Sequence, residues 1–150
     1  MANTFTCLQY HVVFSTKHRE PWIRPEIQER VWAYLGGIAQ KNDLKPLLFG
    51  GVDDHVHLLL GLPPTAKVSE ALKAIKGGSS GWLKETLPGC GGFGWQDGYA
   101  AFTVSKSQVS EIGEYIRNQR EHHRVKTFQE EYRAFLKKYR VQYDERYVWD

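Results

Sequence analysis

Residues 50–60 read GGVDDHVHLLL, and this stretch places two histidines one residue apart inside a run that otherwise has the composition of a buried β-strand. Alternate side chains of a strand point to opposite faces, so His55 and His57 share one face and the aliphatic residues around them share the other. At the usual rise of a strand the two imidazoles lie about 7 Å apart along the backbone, which allows both to reach one metal ion. Two aspartates just before them predict a turn, which places the pair near an end of the sheet. By itself the pair is also compatible with hydrogen-bonded histidines in a core.

The periodicity of apolar residues predicts four strands and four helices. The predicted strands cover residues 6–16, 44–52, 55–62 and 98–105, and the predicted helices cover residues 25–42, 67–87, 105–122 and a last segment that begins at Thr127. Ser105 and Thr127 each begin a capping box, with a glutamine or glutamate three residues later. The order up to the fourth strand, β-α-β-β-α-β, is that of the ferredoxin-like arrangement. We therefore predict an α+β fold, a ferredoxin-like (RRM-like) antiparallel four-stranded sheet with additional C-terminal helices.

Two of these elements carry finer predictions. The first strand alternates, and we predict that its face with His11 and Val13 is solvated. Glycines interrupt the helical spacing of residues 67–87, so this helix is predicted to be bent or broken. If the first two helices cover the aliphatic face of the third strand, His55 and His57 lie on the opposite face of the sheet, where a C-terminal helix can reach them.

The composition fits a single domain that spans residues 1–150. With 41% apolar and 13% aromatic residues the chain can bury a core, and a formal charge of +3 permits a polyanionic partner without requiring one. Basic residues concentrate between residues 117 and 140, where eight lysines or arginines stand against three glutamates. This basic surface is compatible with nucleic-acid binding and also with an ordinary solvated helix.

Several classes of protein do not fit the sequence. Its two cysteines, Cys7 and Cys90, form neither a disulfide framework nor a cysteine zinc motif. No signal-peptide pattern opens the chain, and no apolar run approaches the roughly 18 residues that span a bilayer. The phosphate-binding motif G-x-x-x-x-G-K-[ST] does not occur, so a nucleotide cofactor is not expected. We expect a cytoplasmic protein without a membrane segment.

A tyrosine and a glutamine in the third predicted helix form a second candidate half of a site. Tyr115 and Gln119 are four residues apart, which puts both on one face of a helix, one turn from each other. A phenol can attack a phosphodiester to form a covalent phosphotyrosine, and an amide oxygen can be a third metal ligand beside two imidazoles. A packed or hydrogen-bonded tyrosine is the ordinary alternative at such a position.

These residues together resemble a known family. The motif His55-Val56-His57, followed by Tyr115 and Gln119, resembles the IS200/IS605 family of single-tyrosine (Y1) HUH transposases. The opening YHVVFSTKHR, the block FGWQDGYAAFTVS and the ending QYDERYVWD also resemble members of that family, including the REP-associated tyrosine transposases. The resemblance covers essentially the whole chain.

The resemblance implies a homodimer with a ferredoxin-like sheet that cleaves and rejoins single-stranded DNA next to hairpins through a 5′-phosphotyrosine intermediate. It implies that Tyr115, on a C-terminal helix, is the nucleophile, and that His55, His57 and Gln119 bind a divalent metal ion. This nitrogen-rich ligand set accepts Mn²⁺ readily, whereas Mg²⁺ would rely on phosphate and water oxygens. Because Gln119 occupies the position one turn after the tyrosine, a single nucleophile is predicted.

Other residues are candidate DNA contacts, because cations can neutralise phosphates and an indole can stack on an unpaired base. The candidates are Lys17, Arg19, Lys73, Lys76, Trp95, Arg117, Arg120 and Arg124. His122 and His123 are left outside the predicted site. Two alternatives stay open, a domesticated nuclease of the same chemistry that acts on REP-type hairpins, and a non-catalytic module that binds single-stranded nucleic acid.

Overall fold

A computed structural model describes residues 3–150 and contains one four-stranded sheet with helices on both of its faces. The strands are β1 (Gln9–Ser15), β2 (Lys45–Val52), β3 (His55–Gly61) and β4 (Ala100–Thr103). The helices are α1 (Pro25–Lys41), α2 (Val68–Thr86), α3 (Val109–Arg117), α4 (Gln119–His122) and α5 (Phe128–Lys138). Short 3₁₀ turns at Lys17–Arg19 and Lys106–Gln108 follow β1 and precede α3.

The sheet has the strand order β2-β3-β1-β4, and every neighbouring pair is antiparallel. This order and the β-α-β-β-α-β sequence of elements confirm the predicted ferredoxin-like fold. The first strand is shorter than predicted and begins at Gln9, and the fourth is confined to Ala100–Thr103. Cys7 lies before β1 and is exposed, whereas Cys90 is buried.

The main core lies between the sheet and helices α1 and α2. The aliphatic side chains of β3 at positions 56, 58 and 60 point into it and meet fully buried Leu35 of α1 and Leu72 of α2. This leaves His55 and His57 on the opposite face, as the strand alternation predicts.

The C-terminal helices cover that opposite face. Val13 packs with Phe128 and Leu136 of α5, and Leu59 packs with Ile116 of α3. The prediction that the His11 and Val13 face of β1 is solvated was therefore wrong, since both residues are completely buried. Alternation identifies the two faces of a strand, but a distant segment of the chain decides whether the second face is covered.

Helix α2 is continuous from Val68 to Thr86, so it is not broken at its glycines, which was one of the two forms predicted. Gly78 lies where α2 packs on α1, and a Cβ atom there would come within 3.1 Å of Ile38 Cδ1. Each glycine in a helix interior costs about 1 kcal/mol relative to alanine. Burial of the apolar face of α2 against the sheet outweighs that cost.

The predicted third helix is interrupted. It begins after the capping box at Ser105, whose amide donates to Gln108 Oε1 at 3.1 Å, but it ends at Arg117. Asn118 leaves helical geometry, with φ −95° and ψ 20°, and the chain resumes as α4 at Gln119. The second predicted capping box is confirmed, because the amide of Glu130 donates to Thr127 Oγ1 at 3.2 Å at the start of α5.

The last residues fold back onto the sheet side of α5. Trp149 packs on Phe128 and Tyr132, and the backbone oxygen of Asp150 accepts hydrogen bonds from Gly98 N at 2.9 Å and Gln96 Nε2 at 3.1 Å. Within the described residues, no helix combines the length and apolar character that a bilayer crossing requires.

Candidate active site

The β2-β3 hairpin sets the positions of the two histidines. His55 begins β3, directly after the two-residue turn, and His57 follows on the same face; both side chains are completely buried. A Cβ atom at Gly51 would lie 2.3 Å from His55 O, so only glycine permits the approach of β2 to β3 at this point.

A second glycine brings helix α3 onto the sheet. A Cβ atom at Gly50 would lie 2.9 Å from Ile116 Cγ2, inside normal contact distance. Ile116 is almost fully buried against β2 and β3, and Tyr115 precedes it on the helix. The close packing of α3 on β2 therefore carries Tyr115 to the face that holds the histidines. The ring centroids of Tyr115 and His57 are 5.8 Å apart within one chain.

A carboxylate from α5 meets the imidazoles. Glu131 Oε1 lies 3.1 Å from His57 Nε2, 3.4 Å from His55 Nε2 and 3.3 Å from His123 Nε2. The ligand atoms of these four residues all lie within 4.8 Å of one another, so they can hold a metal ion. Three imidazole nitrogens and one carboxylate oxygen are ligands that Mn²⁺ and Zn²⁺ accept, whereas Mg²⁺ prefers oxygen.

Tyr115 and Gln119 reach the same carboxylate from the other side. The Tyr115 hydroxyl donates to Glu131 Oε2, and Gln119 Nε2 donates to that oxygen at 3.3 Å. The amide oxygen of Gln119 lies 3.1 Å from His55 Nε2 and 3.0 Å from His123 Nε2. The structure thus brings together all four residues singled out in the sequence, although Gln119 begins α4 and does not continue the helix of Tyr115.

Burial and these contacts shift the acid–base behaviour of the cluster. Burial alone would lower the pKa of His55, but hydrogen bonds to Asp54 and Glu131 outweigh it and raise that pKa to about 9. Burial lowers the pKa of His57, and it raises the pKa of the Tyr115 phenol together with the neighbouring Glu131 charge. Burial would raise the pKa of Glu131, but hydrogen bonds with the three histidines hold it far below its usual range. Glu131 is therefore ionised and Tyr115 protonated at neutral pH.

The Nδ1 atoms of His55 and His57, which are not the atoms that face Glu131, also have partners. His55 Nδ1 lies 2.7 Å from Asp54 Oδ1, and His57 Nδ1 lies 2.8 Å from His11 Nε2. Metal-binding histidines usually have such a partner on the nitrogen that faces away from the ion. This arrangement supports the assignment of both Nε2 atoms as ligand atoms.

Sequence reasoning missed Glu131 and His123 as members of the cluster. In the sequence, Glu131 is only one of three acids in a basic segment, and His123 is not among the predicted site residues. The signal for Glu131 lies in α5, where it follows Phe128 by three residues and so falls on the buried stripe that also contains Tyr132 and Leu136. A carboxylate at such a position needs a buried partner.

The candidate DNA contacts divide into two groups. Trp95 was predicted to stack on a base, but it is 6% exposed and its indole donates to Ser79 Oγ at 2.9 Å, so it belongs to the core. Lys76 is half-buried and donates to the backbone oxygens of Asp97 at 2.9 Å and Gly98 at 2.8 Å. Burial lowers the Lys76 pKa to about 8. Both residues therefore have structural partners within the chain.

The other candidate cations remain at the surface. Arg117 and Arg124 pair with glutamates one helical turn away, at 2.8 and 3.0 Å, while Arg120 lies with Arg117 along a groove of about 450 Å³ beside β2. Lys73 lines a second groove of about 410 Å³ on α2. Beyond β1, Lys17 lies 3.8 Å from Asp97, and the Arg19 guanidinium is 5.6 Å from the ring centroid of Trp149.

Comparison with known sequences places the chain among transposases. The family described as transposase IS200 like matches residues 4–119. The ISDra2 transposase TnpA of Deinococcus radiodurans is 33% identical over 119 residues, which cover 75% of this chain and 84% of the relative. The transposase for insertion sequence element IS200 of Salmonella typhimurium is 30% identical over 132 residues, which cover 81% of this chain and 82% of the relative.

Two solved structures share the fold. A crystal structure at 1.90 Å of a protein from Deinococcus radiodurans R1 assigned as a transposase has a TM-score of 0.61 and 32% identity, and the match covers 79% of this chain and 95% of that one. The REP-associated tyrosine transposase bound to a REP hairpin has a TM-score of 0.59, with 82% and 74% of the two chains covered. At 12% identity, the second likeness concerns the fold alone.

Fold and relatives together define the class of protein as a transposase. The chain belongs to the IS200-like transposase family. The family match ends at residue 119, so His123 and Glu131 lie outside the matched region although they share the cluster with His55 and His57.

Proposed function

We propose that this transposase is a metal-dependent endonuclease that cleaves and rejoins single-stranded DNA beside a hairpin, with Tyr115 as the nucleophile. The observation that carries the proposal is the Glu131 carboxylate, which contacts the Tyr115 hydroxyl through one oxygen and the imidazoles of His55 and His57 through the other. A phenol and a set of metal ligands within one hydrogen-bonded cluster are the two components that a phosphotyrosine mechanism requires.

The proposed metal ligands are His55, His57 and Gln119, with His123 and Glu131 added from the cluster. A divalent ion such as Mn²⁺ or Mg²⁺, when bound there, supplies positive charge that polarises the scissile phosphate and stabilises the leaving oxygen. The protein supplies the rigid ends of β3 and α4 and the dry interior that hold the donor atoms in place.

The proposed reaction exchanges one phosphodiester for another. The Tyr115 oxygen forms a bond to phosphorus while the bond from phosphorus to the 3′ oxygen breaks, which leaves a 5′-phosphotyrosine and a free 3′ hydroxyl. The phenol proton passes to solvent and the 3′ oxygen takes a proton from solvent, while Glu131 Oε2 orients the hydroxyl through the hydrogen bond that it accepts. In the reverse step a 3′ hydroxyl attacks the phosphotyrosine, so strands are rejoined without a nucleoside triphosphate.

Hairpin DNA is the proposed substrate. A relative of the same fold is bound to a REP hairpin, and this chain has exposed cations close in sequence to the cluster residues, among them Arg117, Arg120 and Arg124. These residues are proposed to neutralise phosphates and to make affinity salt-dependent. Lys17, Arg19 and Lys73 are proposed as further phosphate contacts. The predicted homodimer and the single domain over residues 1–150 stay predictions.

The test uses labelled single-stranded DNA hairpins with randomised flanks and Mn²⁺. We expect a protein–DNA band that resists denaturation in the wild type and is lost in Tyr115→Phe, whereas hairpin binding is kept. Tyr34→Phe is the matched control, since Tyr34 lies on α1 across the sheet from the cluster. Adducts at normal yield in Tyr115→Phe would remove Tyr115 as the nucleophile, and their formation in the presence of EDTA would contradict the role of the metal.

A further inference from the structure

A third buried histidine stands behind the candidate metal ligands. His11 lies in the middle of β1, completely buried, and its ring stacks on His57 at a centroid distance of 5.0 Å and an interplanar angle of 24°. His11 Nε2 is 2.8 Å from His57 Nδ1, and Phe135 packs edge-on against the His11 ring at 5.1 Å. Among the described residues nothing forms a hydrogen bond with His11 Nδ1.

The hydrogen bond between the two rings can run in either direction. A neutral imidazole carries one N–H and one bare nitrogen, and burial favours the neutral form of both rings. When His57 Nε2 donates to Glu131, at 3.1 Å, His57 Nδ1 is bare and accepts from His11 Nε2. When His57 Nε2 binds a metal ion it must be bare, so Nδ1 carries the proton and donates to His11 Nε2.

The comparison with His55 shows what is particular about this pair. His55 Nδ1 faces the carboxylate of Asp54, which only accepts, so that nitrogen carries a proton in every state. His57 instead faces a group that can either donate or accept. Within residues 3–150, His11 Nδ1 has no partner, and this permits the exchange, because a fixed donor or acceptor there would hold His11 in one tautomer.

We propose that His11 is a positioning residue for His57, and that the hydrogen bond between them reverses when His57 Nε2 binds a metal ion. The inference rests on the proposed metal site. In the reversal each ring loses its Nε2 proton and gains an Nδ1 proton through exchange with solvent, so the number of protons on the pair is unchanged. His11 thereby makes His57 Nε2 available to the ion while both imidazoles stay neutral.

The direct test is ¹⁵N NMR of the full chain with labelled histidines, titrated with Zn²⁺, which is diamagnetic. Without Zn²⁺ we expect the Nε2–H tautomer for both His11 and His57, and at saturation the Nδ1–H tautomer for both. A response of His57 with an unchanged His11 ring would overturn the inference and leave the metal site intact. No response at His55 and His57 would overturn the metal site itself, and the inference with it.

Substitutions give an independent measurement by calorimetric titration with Zn²⁺. His11→Leu removes the partner and is expected to weaken Zn²⁺ binding about 10- to 100-fold, the usual effect of losing such an outer contact. His11→Gln keeps an amide that can donate or accept near the same position, so we expect its affinity within about threefold of the wild type. Val13→Ala, a buried change opposite His57 in the strand register, is the packing control and should keep wild-type affinity. Equal affinity for the Leu and Gln variants would contradict the hydrogen-bonding role.

Discussion

Glu131 is the residue on which the cluster depends most, because its two oxygens face different components. Oε1 faces the three imidazoles, and Oε2 faces the Tyr115 hydroxyl and the Gln119 amide. Removing one member of a buried charged network leaves the others without partners, which typically costs more than the network contributes to stability. We therefore expect the members of the cluster to depend on one another for their positions.

The first prediction concerns the charge of this residue. Glu131→Gln keeps the size of the side chain but removes the carboxylate, and we expect Mn²⁺ affinity and the rate of adduct formation each to fall at least about tenfold. Calorimetric titration and single-turnover kinetics measure the two effects. Glu130→Gln is the matched control, because a glutamine can keep the capping box with Thr127 on the exposed side of the helix. Equal metal affinity in the two variants would exclude Glu131 as a ligand.

The second prediction concerns pH in the metal-free protein. The pKa of His55 is about 9 in the folded chain and 6.5 as the ordinary value of an unfolded histidine. Protonated His55 therefore stabilises the fold fully below pH 6.5, and this stabilisation is lost as the pH rises through 9. Between pH 6.5 and 8 we expect the free energy of unfolding to fall by up to about 2 kcal/mol. Urea unfolding at several pH values measures this change. A His55→Gln variant should not show this fall, because the lowered pKa values of buried His11 and His57 make stability rise with pH near 6.5. An equal fall in both proteins would contradict the assignment.

At the level of elements, the site depends on how closely α3 packs on β2. The third prediction is that Gly50→Ala destabilises the protein by about 1–3 kcal/mol, because its Cβ atom overlaps Ile116 Cγ2. In an Ile116→Ala background the same change should cost less than half as much, since the overlapping atom is gone. Urea unfolding of the four proteins gives the coupling energy. If Gly50→Ala leaves the free energy of unfolding unchanged, or lowers it equally in the two backgrounds, the close approach is unimportant for stability.

The elements also show which features local sequence patterns can predict. Helical spacing and the capping boxes at Ser105 and Thr127 located the helices, because those signals act within a few residues. The interruption at Asn118 and the continuity of α2 were not predictable in this way. The continuity of α2 reflects packing against α1 and the sheet, which are distant in sequence and override local propensity.

At the level of the whole molecule, the cluster is assembled within one chain. The Tyr115 hydroxyl and the imidazole of His57 both contact the Glu131 side chain of the same chain. The fourth prediction is that a mixture of His57→Ala and Tyr115→Phe proteins forms no DNA adduct, because each chain lacks one half of its own site. Adduct assays on proteins mixed under conditions that permit subunit exchange measure this. Recovery of activity in the mixture would mean that Tyr115 acts with the histidines of a partner.

The order of elements could be read from the sequence because the ferredoxin-like sheet follows from strand alternation and from the sequence of strands and helices. His55, His57, Tyr115 and Gln119 could be named through the motif and the family it resembles. His11, His123 and Glu131 could not be connected to them, since these residues meet only when β1 pairs with β3 and α5 packs on that face of the sheet. A local sequence pattern cannot predict contacts between residues that are so far apart in the chain.

The most direct test of the central claim is to locate the covalent bond. The wild-type protein is allowed to react with hairpin DNA and Mn²⁺, digested with nuclease and trypsin, and analysed by mass spectrometry. The tryptic peptide of residues 107–117 contains one tyrosine, Tyr115. The proposed function predicts a nucleotide phosphate on that tyrosine, and its attachment to another residue of the chain would contradict the proposal.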